Sequence, residues 1–268
     1  ILIDEYDKPI ITHLGKGEAG LQLAKQNRDL LKSFFGVLKG AHVAAALRFV
    51  FITGVSKFSR VGIFSDLNNL QDVTMHAGYA AMLGYTQEEL EKYFTARIEE
   101  FAQQQQMTPH DMQRKLREWY NGYRFAKAEL QVYNPFSIVN VLAENDFKTF
   151  WFESGTPSFL VNLIKEKNYA IPEIENLEIP EAAFSTYDLE NLSLEALLFQ
   201  TGYVTIRAHE GELYRLGYPN QEVKSSFSAY LYNSLTEGVN TVLKSQFKRL
   251  HLYLAKADVA QFIETTNA

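Results

Sequence analysis

The 268-residue sequence contains no cysteine, which excludes disulfides and thiolate metal sites. It also lacks a long apolar run: the stretch Phe49 to Ile52 with its neighbours is far too short to span a bilayer. No charged-then-apolar leader is visible, and no initiator Met stands before Ile1. The phosphate-cradling string G-x-x-x-x-G-K-[ST] occurs nowhere in the sequence. The histidines His13, His42, His76, His110, His209 and His251 share no H-x-x-x-H spacing, so no histidine metal cluster is expected. No charge of one sign dominates either. The 26 basic residues against 32 acidic ones leave a net charge of -6, which argues against wholesale binding to nucleic acid but allows a local basic face. These absences together lead us to expect a cytoplasmic protein without a membrane segment.

What is present fits an ordinary globular chain with a sizeable core, at 46% hydrophobic and 22% charged residues. Residues 1 to about 75 read as α/β. Ile1-Leu2-Ile3 is an apolar run ending in the carboxylates Asp4 and Glu5. Leu30, Leu31, Phe34, Phe35 and Leu38 then recur at helical spacing. The continuous run Arg48 to Ile52, closed by Thr53-Gly54, reads as a strand buried on both faces of a parallel sheet. Strand, helix, strand makes a βαβ unit.

Residues 76 to 190 read as a helical domain. Thr86 and Glu89 form a capping box, and Thr108-Pro109 supplies an N-cap with a first-turn proline. Met112, Leu116, Trp119 and Tyr120 make one apolar face that stops at Asn121-Gly122. Asn134-Pro135 opens a helix with Phe136, Val139 and Leu142 as its apolar positions, and Thr156-Pro157 opens the next, with Leu160, Leu163 and Ile164. The Pro- and Glu-rich stretch 170 to 190 reads as a connector. From about 191 to 268 the pattern is a short helix over Leu194 to Gln200, a hairpin turning at Gly211, a helix capped by Asn220 and a last helix over Leu252 to Ile263. That succession is compatible with a winged-helix module.

Two carboxylates at a strand end suit nucleotide hydrolysis, one for Mg²⁺ and one to polarise a water. The same string also closes ordinary strands into solvent. Thr53 at the neighbouring strand end is equally a β-branched residue before a turn, and Lys57 and Arg60 beyond it are either phosphate-reaching cations or a solvated loop. The aromatic clusters Trp119 to Phe125 and Tyr133 to Phe136 offer base stacking, but read better as helix stops and starts.

The longer string Ile3-Asp4-Glu5-Tyr6-Asp7-Lys8-Pro9-Ile10 resembles the Walker B segment of the bacterial AAA-ATPase-like family, predicted P-loop ATPases followed by a PD-(D/E)XK nuclease-like domain. The resemblance continues through Phe51 to Ser59, Ile63 to Leu70, Trp119 to Phe125, Val132 to Ser137, Phe152 to Pro157, Leu198 to Tyr203 and Gly217 to Val223. It implies α/β plus mainly α architecture: a partial P-loop NTPase core, a helical domain and a winged-helix-like module. Relative to the family, the phosphate loop before position 1 and the nuclease-like domain after about 250 are missing, so the chain reads as truncated at both ends. By resemblance, ATP and Mg²⁺ are the cofactors of an intact parent and none is held by this chain alone. Asp4 would be the metal ligand, Glu5 and Thr53 would join it in catalysis, and Asp4, Lys57 and Arg60 would bind the nucleotide. Nucleotide state would pass to a C-terminal effector or protein partner. The alternative is a non-catalytic DNA- or protein-binding module of winged-helix type. Specific DNA binding is not expected, because Lys224 is the one cation early in the helix after Asn220.

Overall fold

The computed structural model describes residues 1–56, 63–64, 70–153, 158–169, 171–185, 189, 192–235, 249–250, 252–254 and 256–266. They form two compact units, Ile1–Phe227 and Ser228–Ala268. The architecture is mixed α/β, mostly helical, with one small parallel sheet and one antiparallel sheet.

Strand β1 (Leu2–Ile3) pairs in parallel with β2 (Phe51–Ile52), Leu2 facing Phe51 and Ile3 facing Ile52. Between them run α1 (Lys8–Ile11), the long α2 (Gly17–Gly36) and α3 (Ala41–Ala46). The βαβ reading of the sequence holds. The expected double burial does not: Leu2 is 77% exposed and Phe49 61%, and neither residue of β2 is fully buried. Two strands without further neighbours among the described residues cover only part of each other's faces, whereas parallel strands normally lie buried on both. Helix α2 shows the same shortfall. Its arc through Gly20, Ala24 and Phe35 is buried, while Leu23, Leu30, Phe34 and Val37, at near-heptad spacing on the adjacent arc, are exposed.

The next stretch closes on itself. Helices α4 (Gln87–Gln104), α5 (Pro109–Tyr120) and α6 (Pro135–Glu144) enclose a core containing Leu90, Phe101, Met112, Leu116, Tyr120 and Val141. Each begins as its caps dictate. Thr86 accepts from the Glu89 N–H while the Glu89 carboxylate accepts from the Thr86 N–H. Thr108 accepts from the Asp111 N–H ahead of Pro109. The Asn134 side chain accepts from the N–H groups of Phe136 and Ser137. One phase differs from the sequence reading: α6 turns Ser137, Ile138, Val141 and Leu142 inward and leaves Phe136 and Val139 half exposed. A buried carboxylate explains the inward Ser137. Glu222 accepts from Ser137 Oγ at 2.8 Å and from the backbone N–H of Trp151 at 2.9 Å, joining α6 to α7 (Phe150–Glu153) and to the first turn of α10 (Gln221–Leu235).

Helix α8 (Ser158–Glu166) buries Leu160, Leu163 and Ile164 as expected; the Thr156-Pro157 start lies outside the described residues. The connector reading of 170 to 190 is corrected. That stretch contains β3 (Leu177–Pro180) between two 3₁₀ segments, Ile171–Asn176 and Glu181–Ser185. Leu177 and Ile179 alternate inward, a period-2 signal that the flanking prolines and glutamates masked. After α9 (Leu194–Gln200), β4 (Thr205–Glu210) and β5 (Leu213–Gly217) form the expected hairpin, and β5 lies between β3 and β4. In the second unit, α11 (Val259–Thr266) starts with Asp258 Oδ1 accepting from the Gln261 N–H. Residues 252–254 are helical as the sequence suggests, a turn at 256–257 then breaks the expected segment, and α11 runs past its expected end at Ile263.

Candidate functional site

The β1–β2 register sets the geometry of the first site. With Leu2 opposite Phe51, both strands end together, and the Thr53 N–H donates to the Ile3 carbonyl at 2.8 Å. The Tyr6 N–H returns a bond to the Thr53 carbonyl at 3.1 Å. Asp4 and Thr53 are thus neighbours at the carboxyl ends of the strands, where ligands of open parallel sheets bind. Thr53 Oγ1 donates to Asp4 Oδ1 at 2.5 Å, and the Glu5 N–H donates to the same oxygen at 2.9 Å. Asp4 Oδ2 has no partner among the described residues, and the side chain is exposed. Glu5 follows in the left-handed region with φ +48, a conformation that a non-glycine residue adopts at a small cost. Its carboxylate lies 3.6 Å from Lys8 Nζ, an exposed pair of little energetic weight. Lys57 and Arg60 lie outside the described residues.

A third carboxylate, not singled out in the sequence, organises this corner. Asp7 is fully buried. Its Oδ1 accepts from the Val55 N–H at 3.0 Å, and its Oδ2 accepts from the Ser56 N–H at 2.5 Å and Ser56 Oγ at 2.7 Å. Burial raises its pKa above the usual carboxylate value, while the Ser56 hydroxyl and the two N–H groups pull against that rise. Tyr6 closes the same turn by donating from its hydroxyl to the Ser56 carbonyl at 3.1 Å. Gly54 has to be glycine here, because a Cβ would lie 2.5 Å from the Tyr6 ring and 2.8 Å from Asp7 Oδ1. The turn after β2 is therefore clamped to the segment after β1, which holds Thr53 beside Asp4. The available sequence signal was an Asp placed just before the Lys-Pro helix start, with Ser56 three residues after Thr53.

The arrangement offers one exposed carboxylate with a free oxygen, a second beside it and a hydroxyl fixed between the strands. It can hold a divalent cation and orient a water. Among the described residues no group of three or more His, Asp or Glu is placed to hold a metal by itself. No helix among them is long and apolar enough to cross a membrane.

Residues 1–64 match the family described as Predicted AAA-ATPase. Over 235 residues the chain is 38% identical to the "Uncharacterized protein in vnfD 5'region" of Azotobacter chroococcum mcd 1, an alignment covering 86% of this chain and 42% of that protein. The chain therefore spans less than half the length of this curated relative. No solved structure matches the 268-residue chain. The family match covers Asp4, Glu5, Asp7, Thr53 and Ser56, and it supports an AAA-ATPase-like family for this part of the chain.

Proposed function

We propose that the chain supplies the acidic, strand-end half of an ATPase site, with Asp4 as the Mg²⁺ ligand, Glu5 orienting the attacking water and Thr53 as a polar sensor beside them. The observation that carries this reading is the Thr53–Asp4 hydrogen bond at the ends of two parallel strands, inside the segment that matches a predicted AAA-ATPase. Asp4 fits a metal ligand because one of its oxygens is occupied by two donors and the other is free among the described residues. Mg²⁺, when bound, would neutralise charge on the phosphoryl oxygens. The contribution of this chain is positional: Asp7 and Ser56 fix the turn, Thr53 orients Asp4, and Glu5 holds the water.

The phosphate cradle would come from residues outside these 268. The absence of the Gly-Lys string, the half-covered β1–β2 pair and the 42% coverage of the relative all support that. The succession α8, β3, α9, β4, β5, with β5 between the other strands, supports a winged-helix-like module. Its role would be packing: α9 buries Leu194, Ala196, Leu197, Leu198 and Phe199, leaving Glu195 and Gln200 as its part-exposed polar side chains, and the hairpin turn carries Glu210 and Glu212. In this scheme nucleotide state would pass through the helical region to that module.

Calorimetric titration of the 268-residue chain with Mg-ATP should show no micromolar binding that Asp4→Asn abolishes. In the full gene product, Mg-dependent hydrolysis should fall about a hundredfold or more in Glu5→Gln and Asp4→Asn. Undiminished hydrolysis in both variants would refute the assignment.

A further inference from the structure

Away from the strand-end carboxylates, the end of α5, the β4–β5 hairpin and the start of α10 border a cleft of about 610 Å³. Two stretches far apart in sequence are locked together to make its floor. Asn220 Nδ2 donates to the Asn121 carbonyl at 2.9 Å, and the Asn220 side chain also accepts from the Val223 N–H. Gly122, at φ +105, lets the chains touch: a Cβ there would lie 2.0 Å from the Pro219 carbonyl oxygen. The cleft is preformed, as ligand sites usually are.

Its most informative wall residue is Arg207. The β4–β5 register slips between Ile206 and Ala208, so Arg207 is the extra residue of a β-bulge, a device that re-aims a side chain. Near it on β5 lies Gly217, the partner of Thr205, where a Cβ would meet Arg207 Cγ at 3.3 Å and the Glu175 carbonyl at 2.8 Å. The missing side chain gives the arginine stem its passage along the cleft wall. Arg207 makes no ion pair or hydrogen bond among the described residues. Arg117 borders the same cleft without a carboxylate partner among the described residues, its Nε donating to Gln87 Oε1 at 3.3 Å and its guanidinium close to the Tyr133 hydroxyl. Lys224 is neutralised by Glu175 at 3.0 Å, and Glu118 sets one opposing charge on the lining. Half-buried Trp119 and Tyr218 also border the cleft, held in place by ring contacts to Tyr120 and Phe147 and to Phe227.

We propose that this cleft binds a nucleoside phosphate, with Arg207 and Arg117 on the phosphate and Trp119 and Tyr218 against the base. Guanidinium groups without carboxylate partners match phosphate oxygens through paired N–H donors. Aromatic rings supply the stacking that every base offers. The volume suits a mononucleotide, either free or at the end of a single strand. The site is separate from the Asp4 corner, and its occupancy does not depend on that assignment.

The test is titration of the 268-residue chain with AMP, a short oligothymidylate and inorganic phosphate, following tryptophan fluorescence. AMP or the oligonucleotide should quench saturably, and the tighter of the two identifies the source. Arg207→Ala should weaken binding about tenfold or more, and Arg207→Lys should restore part of it. Exposed Arg207 is not needed for folding, and circular dichroism checks that. Asp4→Asn should leave the titration unchanged, so failure here is distinct from failure of the ATPase reading. Absence of saturable quenching at millimolar ligand overturns the proposal. So does unchanged affinity in Arg207→Ala, or phosphate alone binding as tightly as AMP.

Discussion

The α4–α5–α6 region and the β1–α2–β2 region carry similar densities of apolar residues at regular spacing, yet only the first covers them. In α5 every position read as inward is buried or half-buried, with Met112, Leu116 and Tyr120 at 0% exposure. In α2 the apolar arc extends beyond the surface packed on it, and Leu30 and Phe34 remain mostly exposed. Periodicity announces that a face is apolar. It does not say whether the same chain holds the covering element. The open region is also where the strand-end carboxylates stand, clamped by Asp7 beside a small core of Tyr6, Ile10, Ile11 and Phe35.

This contrast can be broken by mutation. The largest effect should come from Leu116→Ala in the closed core, which should destabilise the fold by about 2–5 kcal/mol through lost transfer energy and a residual cavity. Urea denaturation would measure it, and a loss below 1 kcal/mol would mean that the core is looser than its burial indicates.

Next in size is a pH effect at Glu222. Burial pushes its pKa up to about 7, against the pull of the Trp151 N–H and the Ser137 hydroxyl. The folded value lies above the unfolded one, so the stabilising contribution is fully present below about pH 4.3 and is lost as pH rises through 7. Across that window the loss amounts to about 3 kcal/mol. Glu222→Gln should remove it, making the variant more stable than the parent at pH 8 but not at pH 4. Equal pH dependence of the two denaturation midpoints would show that the carboxyl titrates normally.

The smallest effect sharpens the other side of the comparison. Phe34→Ser on the exposed arc of α2 should change stability by no more than about 0.5 kcal/mol in this chain. A loss of several kcal/mol would place Phe34 in a packed environment and remove the contrast between the regions.

Local chemistry was legible in advance. The caps at Thr86, Thr108, Asn134 and Asn220, the stop at Asn121-Gly122, and the hairpin at Gly211 follow from side chains that satisfy nearby backbone groups, and such bonds need only a few residues. The parallel pairing of the Leu2 and Phe51 stretches was legible for a related reason, since two apolar runs flanking a helix have few ways to pair. Three features were not. β3 paired with β5 because Leu177 and Ile179 found a sheet edge about 35 residues away, which no local pattern in 170 to 190 announces. Helix α6 took its phase from Glu222, about 85 residues distant, which drew Ser137 inward. Asp7 became the clamp of the 54–56 turn only once β1 and β2 lay side by side. The sequence by itself determined where helices start, where they stop and which faces are apolar, because those depend on contacts within a turn or two. The tertiary structure alone decided which polar side chains are buried and which apolar faces are covered, because both depend on partners that the chain brings from far away.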